Sequence, residues 1–163
     1  MKTAKDWIRE LNLKPHPEGG FYRQTDISDE THERNGKDFA LYTSIYFLLT
    51  AEDPSHFHRL ASDEMWFYHA GHPLTVHSLL PDGTYQKKTL SLHGESGHQL
   101  HHTVPAGTIF GSTVEDGYAL VSCTVIPGFD FKDFKLFTQV ELLEQYPEHS
   151  AIIKRLAYDT LPK

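Results

Sequence analysis

From about residue 39 the hydrophobic positions along the chain fall into runs separated by turn signals at close spacing. The runs are short and rich in β-branched and aromatic residues, at 41–49, 65–69, 75–80, 85–90, 102–104, 108–114 and 118–125. Short runs of that composition, bounded by turn residues, predict strands. Pro81-Asp82-Gly83-Thr84 and Glu115-Asp116-Gly117 supply tight turns between neighbouring runs. Seven or eight such strands in about 90 residues, with no helical pattern between them, predict an antiparallel sandwich or barrel rather than a βαβ fold.

The pattern changes at both flanks. Ala4, Trp7, Ile8 and Leu11 recur at helical spacing, with Thr3 and Asp6 placed as a capping box, which predicts a helix over about 3–11 that ends before Pro15. His16-Pro17-Glu18-Gly19-Gly20 is a turn by composition, residues 21–25 alternate as a strand, and the polar stretch 26–38 reads as a surface loop. Thr138 with Glu141 marks a second capping box, and Pro147 can open a last helix carrying Ile152, Ile153 and Leu156. The expectation is one domain over 1–163, with a β body at about 20–126 and C-terminal helices at about 138–157.

Composition narrows the partners. The 163 residues carry 15 Lys and Arg against 22 Asp and Glu, a net charge of −7, with no basic stripe to offset repulsion from nucleic acid. No apolar run approaches the roughly 20 residues that span a bilayer, and MKTAKDWIRE lacks the apolar segment of an export signal, so a cytoplasmic protein is expected. The one cysteine, Cys123, lies in an apolar run and reads as a small buried residue rather than a nucleophile. The 12 histidines are the unusual feature, because imidazole offers both proton transfer and metal ligation near neutral pH.

Two of them stand in Ser55-His56-Phe57-His58-Arg59, followed at a short distance by Glu64. If 55–59 is extended, His56 and His58 share a face, and a turn through 60–63 returns Glu64 beside them, with Trp66 and Tyr68 on the same face. A proton-transfer pair of histidine and carboxylate is one reading of His56, His58 and Glu64. Ligation of a divalent transition metal by the same three is the other. Arg59 and Ser62 lie in the adjoining loop, where an Arg fork can grip a phosphate or carboxylate. Glu18 and Arg23 are candidates to reach the same pocket from the early turn and strand. His93, His98, His101 and His102 read as solvated loop residues, and the aromatics between Phe129 and Phe134 as packing.

These blocks resemble the cupin superfamily, whose first motif is two His one residue apart, then a Glu, then six residues and a Gly, here His56, His58, Glu64 and Gly71. The gap from His58 to Glu64 is one residue longer than usual. The second motif is a Pro-x-Gly turn followed by a metal-binding His; here Pro105-Ala106-Gly107 is present and Phe110 stands at the ligand position. Pro15-His16-Pro17-Glu18-Gly19-Gly20-Phe21-Tyr22-Arg23, Glu64-Met65-Trp66-Phe67-Tyr68-His69-Ala70-Gly71 and Val125-Ile126-Pro127-Gly128-Phe129-Asp130-Phe131 are similar to an uncharacterised group of single-domain cupins, the cupin-5 type.

The resemblance implies an all-β double-stranded β-helix, or jelly roll, with short flanking helices, akin in fold to dTDP-sugar epimerases. It also implies an interior small-molecule pocket and a homodimer, which would cover the open sheet edges. The expected activity is isomerase- or epimerase-like proton transfer on a sugar-like or nucleotide-linked substrate, by His56, His58 and Glu64, with Glu18, Arg23, Arg59, Ser62, Trp66, Tyr68 and Phe110 around the substrate. The alternatives are a metal-dependent isomerase or dioxygenase and a non-catalytic binding module.

Overall fold

A computed structural model describes residues 1–163. Helix α1 (Ala4–Glu10) is followed by strands β1 (Lys14–Pro15), β2 (Phe21–Ile27), β3 (Thr31–Arg34), β4 (Lys37–Ala40), β5 (Thr43–Thr50), β6 (Ser55–Arg59), β7 (Asp63–Gly71), β8 (Leu74–Leu79), β9 (Tyr85–Leu90), β10 (His101–Val104), β11 (Ile109–Val114), β12 (Tyr118–Ile126) and β13 (Lys135–Leu136). Helices α2 (Gln139–Gln145) and α3 (Ser150–Leu156) close the chain. No helix is long and apolar enough to cross a membrane.

The strands form two antiparallel sheets, one of six strands in the order β1-β2-β5-β12-β7-β10 and one of five in the order β13-β6-β11-β8-β9. The mixed order, with sequence neighbours split between layers, is the jelly-roll arrangement. Alternation along β7 puts Glu64, Trp66 and Tyr68 inside and Asp63, Phe67 and His69 outside. The core between the layers is built on Phe47, Leu49, Trp66, Leu74, Val76, Phe110 and Val121. Burial of side chains this large contributes about 1.5–3 kcal/mol each.

The two ends of the chain cover the outer faces. Thr3 and Asp6 form the expected capping box, and α1 lays Trp7 and Ile8 over Leu48 and Leu120 of the six-stranded sheet. Thr138 and Glu141 cap α2 in the same way, and Leu142, Ile153 and Leu156 pack on Phe57, Leu79 and Ile109 of the five-stranded sheet.

The stretch expected as a polar loop at 26–38 is in fact a hairpin, β3 paired with β4. Asn35 and Gly36 both have positive φ (54° and 77°), the two-residue turn that an Asn-Gly pair favours. Its polar faces leave no alternating apolar signature, so the turn residues alone betrayed it.

Candidate functional site

Between the layers, on the inner face of the six-stranded sheet, lies a cavity of about 450 Å³, within the range of small-molecule sites. Glu64 enters from β7, Cys123 and Val125 from β12, Thr43 and Ile45 from β5, Tyr22 and Gln24 from β2, and His16 and Glu18 from the turn that precedes β2. Phe129 and Phe131, from the segment after β12, complete the wall, and the exposed Lys14 of β1 stands with its Nζ 5.4 Å from the Tyr22 ring centre.

The turn that carries Glu18 is tied to β6. The Glu18 carbonyl accepts from the His56 amide (2.6 Å) and from His56 Nδ1 (2.8 Å). Gly19, at φ +109°, allows this closeness, since a Cβ there would stand 1.9 Å from the Pro54 carbonyl oxygen. The His56 ring is stacked on Tyr158 at 3.8 Å, and the Tyr158 hydroxyl donates to the Pro17 carbonyl (3.1 Å), so the C-terminal tail braces the same turn.

Around the Glu18 carboxyl the hydrogen bonds settle the histidine tautomers. His58 Nδ1 donates to the His56 carbonyl (2.7 Å), which leaves a lone pair on Nε2, 3.3 Å from Glu18 Oε2. His16 Nδ1 accepts from the Glu18 amide (3.1 Å) and lies 3.7 Å from the same Oε2. Ser55 Oγ donates to Glu18 Oε1 (2.9 Å). Burial pushes the Glu18 carboxyl well above its usual range, and the charge of Glu64 adds to this, with the Ser55 hydrogen bond opposing. Burial lowers His58 to about 4 and, with help from His58, lowers His16 to about 3. The contact between Glu18 and His58 is therefore a carboxylic acid facing a neutral imidazole rather than an ion pair.

Glu64 has less around it. Burial raises its carboxyl to about 7, and the Cys123 thiol is its hydrogen-bonding neighbour. Cys123 itself is pushed well up, by burial first and then by the charges of Glu64 and Glu18, so the thiol keeps its proton. Thr43 Oγ1 accepts from the Phe129 amide (2.9 Å), which leaves its own proton free to donate into the cavity.

The sequence matches the model of the family described as Cupin superfamily (DUF985) over residues 5–137. The chain belongs to this family. Its relatives include a hypothetical protein from Leishmania major, 46% identical with a TM-score of 0.92 over 96% of this chain and 99% of that one. Protein SO0799 from Shewanella oneidensis is 43% identical, with a TM-score of 0.93 over 98% and 100% of the two chains. The uncharacterized yeast protein YML079W from Saccharomyces cerevisiae is 27% identical over 95% of this chain and 86% of its own length. Oxalate decarboxylase from Bacillus subtilis, at 12% identity and a TM-score of 0.56 over 93% of this chain and 40% of that one, shares the fold alone.

This cupin departs from the expected arrangement of its motif residues. His56, His58 and Glu64 do not converge: His56 is turned to the Glu18 carbonyl and Tyr158, His58 faces Glu18, and Glu64 faces Cys123. No three His, Cys, Asp or Glu side chains gather as a group able to hold a metal. At the fourth motif position, the Phe110 ring packs on His58 at 4.2 Å and on Trp66 at 6.2 Å, in the core rather than at the cavity. The donor set does not fit a metal centre.

Glu18 and Glu64 do reach the cavity together, but several expected neighbours do not. Trp66 is fully buried in the core, and the Tyr68 hydroxyl donates to the His72 carbonyl (3.0 Å) at the far end of β7. Arg59 is exposed, its guanidinium 5.3 Å from the Phe137 ring centre, and the Ser62 hydroxyl accepts from Arg34 (3.3 Å). Arg23, by contrast, does line the cavity as expected, with its Nε buried and without a hydrogen-bond partner and its guanidinium 5.8 Å from the Tyr46 ring centre. Conversely His16, Thr43, Cys123, Phe129 and Phe131 were not expected at the site. Cys123 stands opposite Trp66 in the β12–β7 register, a pairing that only the fold reveals.

Proposed function

We propose that this cupin moves a proton on a small polar molecule held in the cavity, an isomerase- or epimerase-type activity, with Glu64 as the group that takes the proton and returns it. The observation that carries the reading is the pair of buried carboxyls, Glu18 and Glu64, on one cavity, with Glu64 held by burial near 7. A carboxyl so placed exists in both protonation states at neutral pH, which is what a general acid and base requires.

In the proposed step the Glu64 carboxylate removes a proton from carbon beside a carbonyl. The C–H pair moves into the carbon–carbon bond and the carbonyl pair onto oxygen, facing the Thr43 hydroxyl as donor. Return of the proton from Glu64 to the same face of that carbon completes an exchange, return after the enolate has turned over completes an epimerisation, and return to the neighbouring carbon, with the hydroxyl proton passing to the former carbonyl oxygen, completes an isomerisation. Ser55, His58 and His56 act by positioning Glu18. The motif loop holding Arg59 and Ser62 supplies no phosphate cradle at the cavity, so a compact substrate is favoured over a nucleotide-linked one.

The test is deuterium uptake. Wild-type protein is incubated in D2O with small hydroxy- and amino-carbonyl compounds, and exchange at carbon beside the carbonyl is followed by NMR. Exchange that Glu64→Gln abolishes, with ligand binding retained, supports the reading. A ligand that binds wild-type protein with no exchange in any compound favours the binding module, which the aromatic wall of Tyr22, Phe129 and Phe131 would also suit.

A further inference from the structure

The lysines and arginines that form ion pairs are Lys2, Arg9, Lys37, Lys135 and Arg155, none of which lines the cavity. The two cations that do line it, Lys14 of β1 and Arg23 of β2, pair with no carboxylate. Arg23 carries the stronger signal, because its Nε is buried and has no hydrogen-bond partner. A buried N–H without an acceptor is costly, and a ligand that supplies the acceptor recovers that cost. Lys14 is exposed at the rim, its Nζ 5.4 Å from the Tyr22 ring centre. The acids of the cavity do not cancel these charges. Glu18 keeps its proton, so Glu64, at about 7, supplies at most one negative charge. His16 and His58 are neutral, and the Cys123 thiol keeps its proton. Two positive charges therefore face one negative charge, in a protein whose net charge is −7. The surplus is local to this cavity.

We propose that the molecule held in this cavity carries a carboxylate, bound by the Arg23 guanidinium and the Lys14 ammonium, with the rest of the molecule extending along the Tyr22 ring toward Glu64. This names the substrate class of the site read above and rests on that cavity being the ligand site, though not on proton transfer taking place there. A guanidinium presents parallel N–H donors to two carboxylate oxygens, and the unpartnered Nε is one of those donors. One negative charge neutralises the surplus, whereas a phosphate dianion exceeds it. The span suits a small organic acid. Strands β2 and β7 are separated by β5 and β12 in the sheet, roughly 14 Å between backbones, a distance that two side chains and a compact molecule between them can fill. Anchoring the carboxylate at one end also orients the carbon beside the carbonyl against Glu64, so that binding energy remote from the reacting atoms aids the step.

Four probes of similar shape test this: benzoate, benzyl alcohol, benzylamine and benzylphosphonate, titrated into the 163-residue protein and followed by amide NMR shifts of cavity residues. Benzoate is expected to bind at least about tenfold more tightly than the alcohol or the amine, and to weaken as salt is added. Arg23→Gln and Lys14→Gln should each weaken benzoate by at least about fivefold and leave benzyl alcohol unchanged. Lys14 is exposed, so its variant decides the matter even where Arg23→Gln fails to fold. Arg23→Lys, which keeps the charge and loses the Nε donor, should retain part of the benzoate binding. Equal binding of benzoate and benzyl alcohol, tighter binding of benzylamine, no binding of benzoate, or benzoate binding that neither Gln variant weakens overturns the proposal. Tighter binding of benzylphosphonate than of benzoate overturns the choice of carboxylate. Deuterium exchange confined to carbonyl compounds without a carboxylate would leave the proton-transfer reading standing while this one failed, and benzoate binding with no exchange in any keto acid would do the reverse.

Discussion

The backbone carbonyl of Glu18 is held twice by His56, once by its amide at 2.6 Å and once by its imidazole Nδ1 at 2.8 Å. A motif residue expected to carry chemistry thus fixes the position of one that lies 38 residues earlier. His56→Ala keeps the amide bond and loses the imidazole bond and the stack on Tyr158. We expect a loss of about 1–2 kcal/mol in urea unfolding, the sum of one hydrogen bond and a modest aromatic contact. A variant as stable as wild type would show that the turn is held by other means.

Glu64 makes stability depend on pH in a definite direction. Its folded value of about 7 lies above the ordinary carboxyl value of 4.5, so between these limits the folded state holds more protons than the unfolded state. The stabilising contribution is complete below pH 4.5 and is lost as pH rises through 7. Glu64→Gln lacks this loss. Its stability relative to wild type should climb by on the order of 3 kcal/mol from pH 4.5 to 8, read as the difference between two series of denaturant melts. A flat difference would place the Glu64 titration at an ordinary value.

The buried histidines act oppositely. His16 falls from 6.5 to about 3 in the folded protein, so the unfolded state binds the extra proton first and stability declines as pH drops from 6.5 toward 3. His16→Phe suits the surrounding rings of Tyr22, Phe47, Phe129, Phe131 and Phe134. At pH 7 it should lose about 1–2 kcal/mol, because the Glu18 amide loses its acceptor, and it should be less sensitive to acid than wild type. Thermal melts at pH 4.5 and pH 7 decide this, and an unchanged acid sensitivity would assign the effect to His58 and His77, which burial lowers to about 4.

Phe110→His restores the residue type of the usual fourth ligand without restoring a metal centre, because His56 remains turned to Glu18 and Tyr158. The variant puts a polar ring into a fully buried place between His58 and Trp66. The expected result is a loss of about 2–4 kcal/mol and no stoichiometric manganese, nickel or zinc by elemental analysis after dialysis. A metal-loaded, stabilised variant would show that the three motif residues can be drawn together.

The jelly roll was legible because short β-branched and aromatic runs between turn signals mark its strands, alternation along β7 reports which face is buried, and Thr3 with Asp6 or Thr138 with Glu141 reports where helices begin. The same period two says nothing of depth along the strand. Glu64, Trp66 and Tyr68 all point inward, as expected, yet one meets the cavity, one the core and one the His72 carbonyl. Nor does strand spacing reveal that a turn from outside the motif inserts its carbonyl beside His56. The cavity wall at Phe129 and Phe131 comes from irregular chain after β12, where no periodic signal exists.

Tyr158 gives the site a dependence on the very end of the chain. The ring that backs His56 and the hydroxyl that holds Pro17 stand beyond residue 137, where the match to the family model stops. Trimming the tail or fusing a bulky tag close behind it would therefore disturb the acid turn without touching any motif residue. Preparations that differ only at that terminus need not behave alike.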